Sequence, residues 1–164
     1  MVSILMTVPI SGETTCHVYA IQESNNINRA QLKYFGAGMD ALEVNTARVQ
    51  LEGLLDTLWD AKEYGSILKV ESYNWELLCR FVSSADAGAQ ISMDSAGLEV
   101  TAEQLLSLID IAEVIERKYD VVVTNPPYMA VSNGGARLND YVKKNYPDSK
   151  ADLFAVFIER CGLM

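Results

Sequence analysis

The chain reads as an α/β protein on three observations: an unbroken apolar run at Val121-Val122-Val123, a second extended stretch from Val18 to Ile21, and a long tract between them in which leucines recur at helical spacing. A strand with one wet face alternates apolar and polar residues, whereas an unbroken run suits a parallel strand covered on both faces. Residues 119 to 124 are therefore expected to form such a strand, with Val18 to Ile21 as another.

The remaining elements follow in order. Met1 to Ile10 is apolar but lacks the basic start and clean cleavage pattern of a secretion signal, so residues 1–17 read as a loosely placed N-terminal segment. Gln22, Glu23 and Ser24 close the first strand. Gln31 to Phe35 reads as helix, which speaks against Gly36-Ala37-Gly38 as a glycine loop following a strand. Leu51, Leu54, Leu55, Leu58 and Trp59 predict an amphipathic helix over residues 41–63, ending near Gly65. Asn74 is placed to cap a second helix with Trp75, Leu78, Phe81 and Val82 inward. Ser83 to Gly97 is small and polar and reads as a mobile loop. Thr101 with Gln104 makes a capping box for a third helix, whose buried stripe is Leu105, Leu108, Ile109, Ala112 and Ile115. Residues 28–118 are thus mainly helical. Beyond the second strand, Val131 to Ala136 reads as a glycine-bearing loop, and Leu138, Tyr141 and Val142 mark a short helix ending near Pro147. Ser149 then caps a last helix from Ala151 to Cys161 with Phe154, Phe157 and Ile158 on its apolar face.

Composition bounds the function. At 164 residues, 49% hydrophobic and 21% charged, the chain suits one domain with a sizeable core, and no stretch is apolar enough to span a bilayer. Cys16, Cys79 and Cys161 are odd in number and widely spaced, which suggests neither a disulfide framework nor a zinc site and fits a reducing cytoplasm. His17, the sole histidine, reads as structural, and Glu52, Asp56, Asp60 and Glu63 read as a solvated acidic face; no metal site is expected. The net charge of −9 opposes a simple nucleic-acid binder, since neutralising phosphates supplies most nonspecific affinity. The charge is uneven, however: residues 1–128 carry 8 basic and 18 acidic side chains, residues 129–164 carry 5 and 4. Arg137, Lys143, Lys144 and Lys150 could meet phosphates there, or form a solvated helix face.

Chemistry concentrates at Asn125-Pro126-Pro127-Tyr128. Pro126 lacks an N–H and steers Asn125 away from helical backbone, so the turn is stiff. The Asn125 amide oxygen and the Pro126 carbonyl become two fixed acceptors, with the Tyr128 ring as a stacking face beside them. Two acceptors and a flat ring suit an exocyclic amine on a planar base. Accepting from both amine hydrogens localises a lone pair that the ring otherwise delocalises, and a base paired in a duplex has to be swung out to be reached. The alternative is a proline-stiffened strand exit with a surface tyrosine.

That tetrapeptide resembles the catalytic motif of amino-directed, S-adenosylmethionine-dependent methyltransferases. The run from Val121 to Cys161, together with Val18 to Asn25 and Ala61 to Val70, resembles the large adenine-specific DNA methyltransferases of BREX-type phage-defence systems, the PglX-like branch. The resemblance covers residues 18–164 and implies part of a Rossmann-like methyltransferase fold with a helical insertion at 28–118, lacking the first strands, and a catalytic segment at 119–164. It implies S-adenosylmethionine as cofactor, double-stranded DNA with a flipped adenine as partner, and other phage-defence proteins as associates. Asn125, Pro126, Pro127 and Tyr128 would be catalytic; Gln22 and Glu23, at the end of the first strand, and Asp152 and Phe154, after the catalytic turn, would face the cofactor. Gln22 and Glu23 serve equally well as a strand-ending turn, and Phe154 as core. No glycine-rich loop follows a first strand and no acidic residue ends a second, so the expectation is an internal piece, inactive alone. Methylation of an amine in RNA or protein, and a noncatalytic interaction role, remain open alternatives.

Overall fold

The computed structural model describes residues 4–7, 17–85 and 97–164, which divide into two compact units. Ser83 to Gly97 falls largely outside the described residues, as does Cys16. The described residues are mostly helical.

The first unit comprises residues 1–21, 61–69 and 115–164. Strand β1 (Ile4–Thr7) pairs antiparallel with β2 (His17–Ala20), Ile4 opposite Ala20 and Thr7 opposite His17. The expected strand at 18–21 therefore exists one residue earlier, in an antiparallel ribbon with the N-terminal segment and not in a parallel sheet. Residues 119–124 do not form the expected covered strand. Val121 and Val123 are 76% and 90% exposed, and the segment is tethered at its start, where the Tyr119 N–H donates to the Met164 carbonyl at 2.6 Å. An apolar run becomes a buried strand only when neighbouring strands pair its edges and cover its faces.

The core of this unit is built by helices. Helix α5 (Ala136–Asn145) buries Leu138 and Val142, and α6 (Leu153–Cys161) buries Leu153, Val156 and Phe157; with Val131, Tyr146 and Ile67 they form one cluster. Each such aliphatic or aromatic side chain contributes about 1.5–3 kcal/mol by leaving water. The short helix α2 (Ala61–Tyr64) and a 3-10 turn at Gly65–Ile67 are stapled to α5. The Tyr64 and Tyr141 rings stack at 4.2 Å, the Lys69 N–H donates to the Tyr141 hydroxyl at 2.8 Å, and the Tyr146 hydroxyl donates to the Ile67 carbonyl. The Lys69 ammonium lies over the Tyr146 ring and donates to the Asn145 carbonyl at 2.6 Å, at the negative end of α5. Burial pushes the Tyr141 and Tyr146 hydroxyls above the ordinary tyrosine range.

The second unit comprises residues 22–60 and 70–114. A 3-10 helix at Arg29–Tyr34, capped by Asn28, precedes the glycine turn; it starts two residues before the helix expected at Gln31 to Phe35, and Phe35 leaves it in extended backbone. Helix α1 (Ala41–Thr57) packs Ala47, Leu51, Leu54 and Leu55 inward but stops well before residue 63. Asp60 takes a left-handed conformation with φ of 55°, and Asn25 locks it: its amide nitrogen donates to the Asp60 carboxylate at 2.7 Å while its oxygen accepts from the Asp60 N–H at 2.9 Å. That break turns Trp59 outward to 46% exposure, so it is not part of the buried stripe. Of the acidic residues read as a solvated face, Asp56 pairs with Arg29 at 2.7 Å and Asp60 is buried in the Asn25 lock.

Helix α3 (Trp75–Ser83) starts at Asn74, whose side chain accepts from the Leu77 N–H at 3.0 Å, as expected; Leu77, Leu78, Phe81 and Val82 are buried and Trp75 half-buried. Helix α4 (Leu98–Glu116) starts three residues before Thr101. Thr101 is thus an interior residue and not a cap. Its backbone N–H bonds the Gly97 carbonyl, and its hydroxyl donates to the Gln31 side chain at 2.6 Å. Leu105, Leu108, Ile109, Ala112 and Ile115 are buried as expected.

Candidate functional site

The Asn125–Tyr128 turn is tied to the start of α6 by a short antiparallel link. Ala130 stands opposite Asp152, with the Val131 N–H bonded to the Ala151 carbonyl and the Leu153 N–H to the Met129 carbonyl, both at 3.1 Å. The Met129 N–H also closes back on the Pro127 carbonyl at 3.1 Å, a tight turn that directs the chain out of the proline pair. Pro126 is buried, Pro127 half-buried and Asn125 exposed. Among the described residues neither the Asn125 carboxamide nor the Pro126 carbonyl has a hydrogen-bond partner.

Register explains what meets Tyr128. Two residues outward from the Ala130–Asp152 pair on either side are Tyr128 and Phe154, and their rings stack at 5.7 Å with an 18° tilt. The structure thus joins one residue expected to be catalytic with one expected to face the cofactor. Asp152 caps α6, its carboxylate accepting from the Phe154 N–H at 2.8 Å. Ser149 is not the cap; its hydroxyl donates to the Glu159 carboxylate at 2.6 Å. Because the helix starts at Leu153, its inward face is Leu153, Val156, Phe157 and Arg160, and Phe154 and Ile158 lie outside. Phe154 is accordingly not core.

Gln22 and Glu23 belong to the other unit, where the Gln22 amide donates to the Ser107 hydroxyl at 2.7 Å. Arg137 occupies the first turn of α5, Lys143 and Lys144 its last, and Lys150 the connection to α6; all four are exposed. Arg137 and Lys144, seven residues apart, share a helix side, and the two lysines complement the helix dipole. Arg160, which the sequence pattern did not single out, is buried with its guanidinium donating to the Ile115 carbonyl at 2.7 Å, closing the last turn of α4. Its only sequence signal is a cation in the last turn of an apolar-faced helix.

The glycine turn is spent on structure. The Gly36 N–H bonds the Phe81 carbonyl at 3.0 Å and the Ala37 N–H bonds the Ser84 carbonyl at 2.7 Å, so these donors cap the end of α3. A Cβ on Gly36 would lie 2.8 Å from the Phe81 ring, which leaves no cradle for a ligand. The described residues contain no group of three metal-binding side chains, and none of their helices is long and apolar enough to cross a membrane.

Residues 33–163 match the family model of the Eco57I restriction-modification methylases. The chain belongs to that family. It is 33% identical over 132 residues to the adenine-specific methyltransferase PglX of Lacticaseibacillus casei (strain Zhang), covering 79% of this chain and 11% of that protein. It is 35% identical over 118 residues to the adenine-specific methyltransferase BrxX of Escherichia coli O9:H4 (strain HS), covering 70% of this chain and 10% of that protein. The chain therefore spans about a tenth of the length of these two relatives.

Proposed function

We propose that this chain supplies the base-holding part of a DNA adenine-N6 methyltransferase acting in phage defence or restriction-modification, within a Rossmann-like catalytic domain. The observation that carries the reading is the exposed Asn125 carboxamide, without a hydrogen-bond partner among the described residues, on a proline-stiffened turn next to the outward-facing Tyr128 ring, in a chain of the Eco57I family. Asn125 and Pro126 would accept the two hydrogens of the N6 amine and concentrate its lone pair, while Tyr128 holds the flipped adenine by stacking. Pro127 fixes the path of the chain between them. S-adenosylmethionine, when bound, supplies a methyl group on a positively charged sulfur. The exposed Asp152 carboxylate and the half-open Phe154 ring would be the groups of this unit that face such a cofactor. The Gly36 turn does not fit it, because its donors are engaged. Arg137, Lys143, Lys144 and Lys150 would meet phosphates flanking the base. After transfer the amine sheds a proton to solvent. A cytoplasmic setting accords with the unpaired thiols of Cys79 and Cys161.

Labelled methyl transfer from S-adenosylmethionine to DNA, RNA and protein, using the protein that carries this segment, tests the reading. Label in the adenine of duplex DNA is expected. Label confined to RNA or protein moves the same turn to another planar amine or amide. The engaged glycine turn favours a second reading for the chain by itself, a noncatalytic interaction module. Micromolar binding of S-adenosylmethionine by residues 1–164, measured by calorimetry, would remove that second reading.

A further inference from the structure

Tyr128 is 81% exposed, and Phe154 is its ring partner among the described residues. A tyrosine on an open turn samples several rotamers, and a base that has to order the ring on arrival meets that entropy cost. Phe154 is better held. Its N–H is bonded to Asp152, it opens the first turn of α6, and the adjoining Leu153 is buried in the core. The two rings are nearly parallel with centroids 5.7 Å apart, so the gap between their planes is no larger than that. A third ring sandwiched between them would need about 7 Å, twice the usual ~3.5 Å contact. The space between the rings is therefore closed to a base, and the opposite face of Tyr128 is open.

The geometry points to Phe154 as a positioning residue: it backs Tyr128 on one face and presents the other face to the incoming base, making a stack in the order Phe154, Tyr128, base. This rests on the base-stacking role assigned to Tyr128 above and is separate from a cofactor-side role for Phe154. Asp152 then acts one step further back, by fixing the first turn from which the Phe154 ring projects.

The test uses the protein that carries this segment and a single-stranded oligonucleotide with one 2-aminopurine, whose fluorescence is quenched on aromatic stacking. Capture is titrated for the unsubstituted chain and for Phe154→Ala, Phe154→Leu, Phe154→Tyr and Tyr128→Ala, beside thermal melting and S-adenosylmethionine calorimetry. Loss of one aromatic stack should weaken capture about three- to tenfold in both Phe154→Ala and Phe154→Leu, while Phe154→Tyr restores it to within about twofold. Tyr128→Ala should abolish quenching. Full capture by Phe154→Ala with loss in Tyr128→Ala would overturn the positioning role and leave the base-stacking role of Tyr128 standing. The positioning role also falls if Phe154→Ala captures more tightly, if Phe154→Leu restores capture, or if only cofactor binding changes. Quenching that is absent, or indifferent to Tyr128→Ala, would remove the base-stacking role itself.

Discussion

Among single residues, two glycines in one turn do different jobs. Gly36 and Gly38 both take positive φ, 82° and 76°, but only Gly36 has a neighbour where a Cβ would go. Gly38→Ala should cost about 1–2 kcal/mol, the strain of a left-handed alanine. Gly36→Ala adds a clash with Phe81 and should cost about 2–4 kcal/mol. Urea denaturation midpoints check the order, and equal costs would show that the Phe81 contact carries no weight. The sequence hinted at this assignment, because Gln31 to Phe35 lacks the apolar character of a strand and a cofactor loop needs a strand before it. What it could not show is that the turn's N–H groups close the end of α3, a bond between residues more than forty positions apart.

Among the elements, the segment from Ala61 to Lys69 is held to α5 by aromatic and hydroxyl contacts, which gives it a pH signature. Burial raises the Tyr146 and Tyr141 hydroxyls above their ordinary value, so the folded state keeps protons that the unfolded chain releases. Their contribution is complete below about pH 10, where both states are protonated, and is lost as pH rises from there through the raised folded values. Melting temperature should therefore fall as pH rises beyond about 10, and Tyr146→Phe should lose about 0.5–1.5 kcal/mol at neutral pH while flattening the alkaline decline. An unchanged alkaline slope in that variant would place the sensitivity elsewhere. Helix existence was legible from periodicity, and Asn74 caps α3 as read, because both signals are local. Helix limits were less so. The pattern from Leu51 to Trp59 carries no sign that Asn25 will pin Asp60 in a left-handed turn, and Ser149 looks as good a cap as Asp152 until the link to Met129 fixes the start of α6.

Across the molecule as a whole, charge is segregated. Residues 22–60 and 70–114 carry 4 basic and 14 acidic side chains, the rest of the chain 9 and 8. The proposed phosphate contacts thus lie in the less acidic of the two units. Replacing Lys143 and Lys144 by Ala should lower the slope of log affinity against log salt by up to about 2, checked by fluorescence anisotropy on duplex DNA, and an unaltered slope would return both lysines to the solvated helix face. Asn125 to Tyr128 stands out in the sequence as a proline-stiffened turn, and the family to which its flank belongs was legible there. The state of residues 119–124 was not. Val121 to Val123 specifies a strand only in company, and among the described residues no strand pairs with that segment.

The proposed chemistry turns on the Asn125 carboxamide, which has no hydrogen-bond partner among the described residues, as an acceptor for an adenine amine. The yield of N6-methyladenine in duplex DNA, measured by nucleoside mass spectrometry for the protein carrying this segment and for its Asn125→Ala variant, probes that role without intermediaries. Robust methylation is expected in the first and a loss of at least about a hundredfold in the second, with melting temperature unmoved. Comparable methylation by both proteins would show that Asn125 does not polarise the amine, and the proposed role would fall.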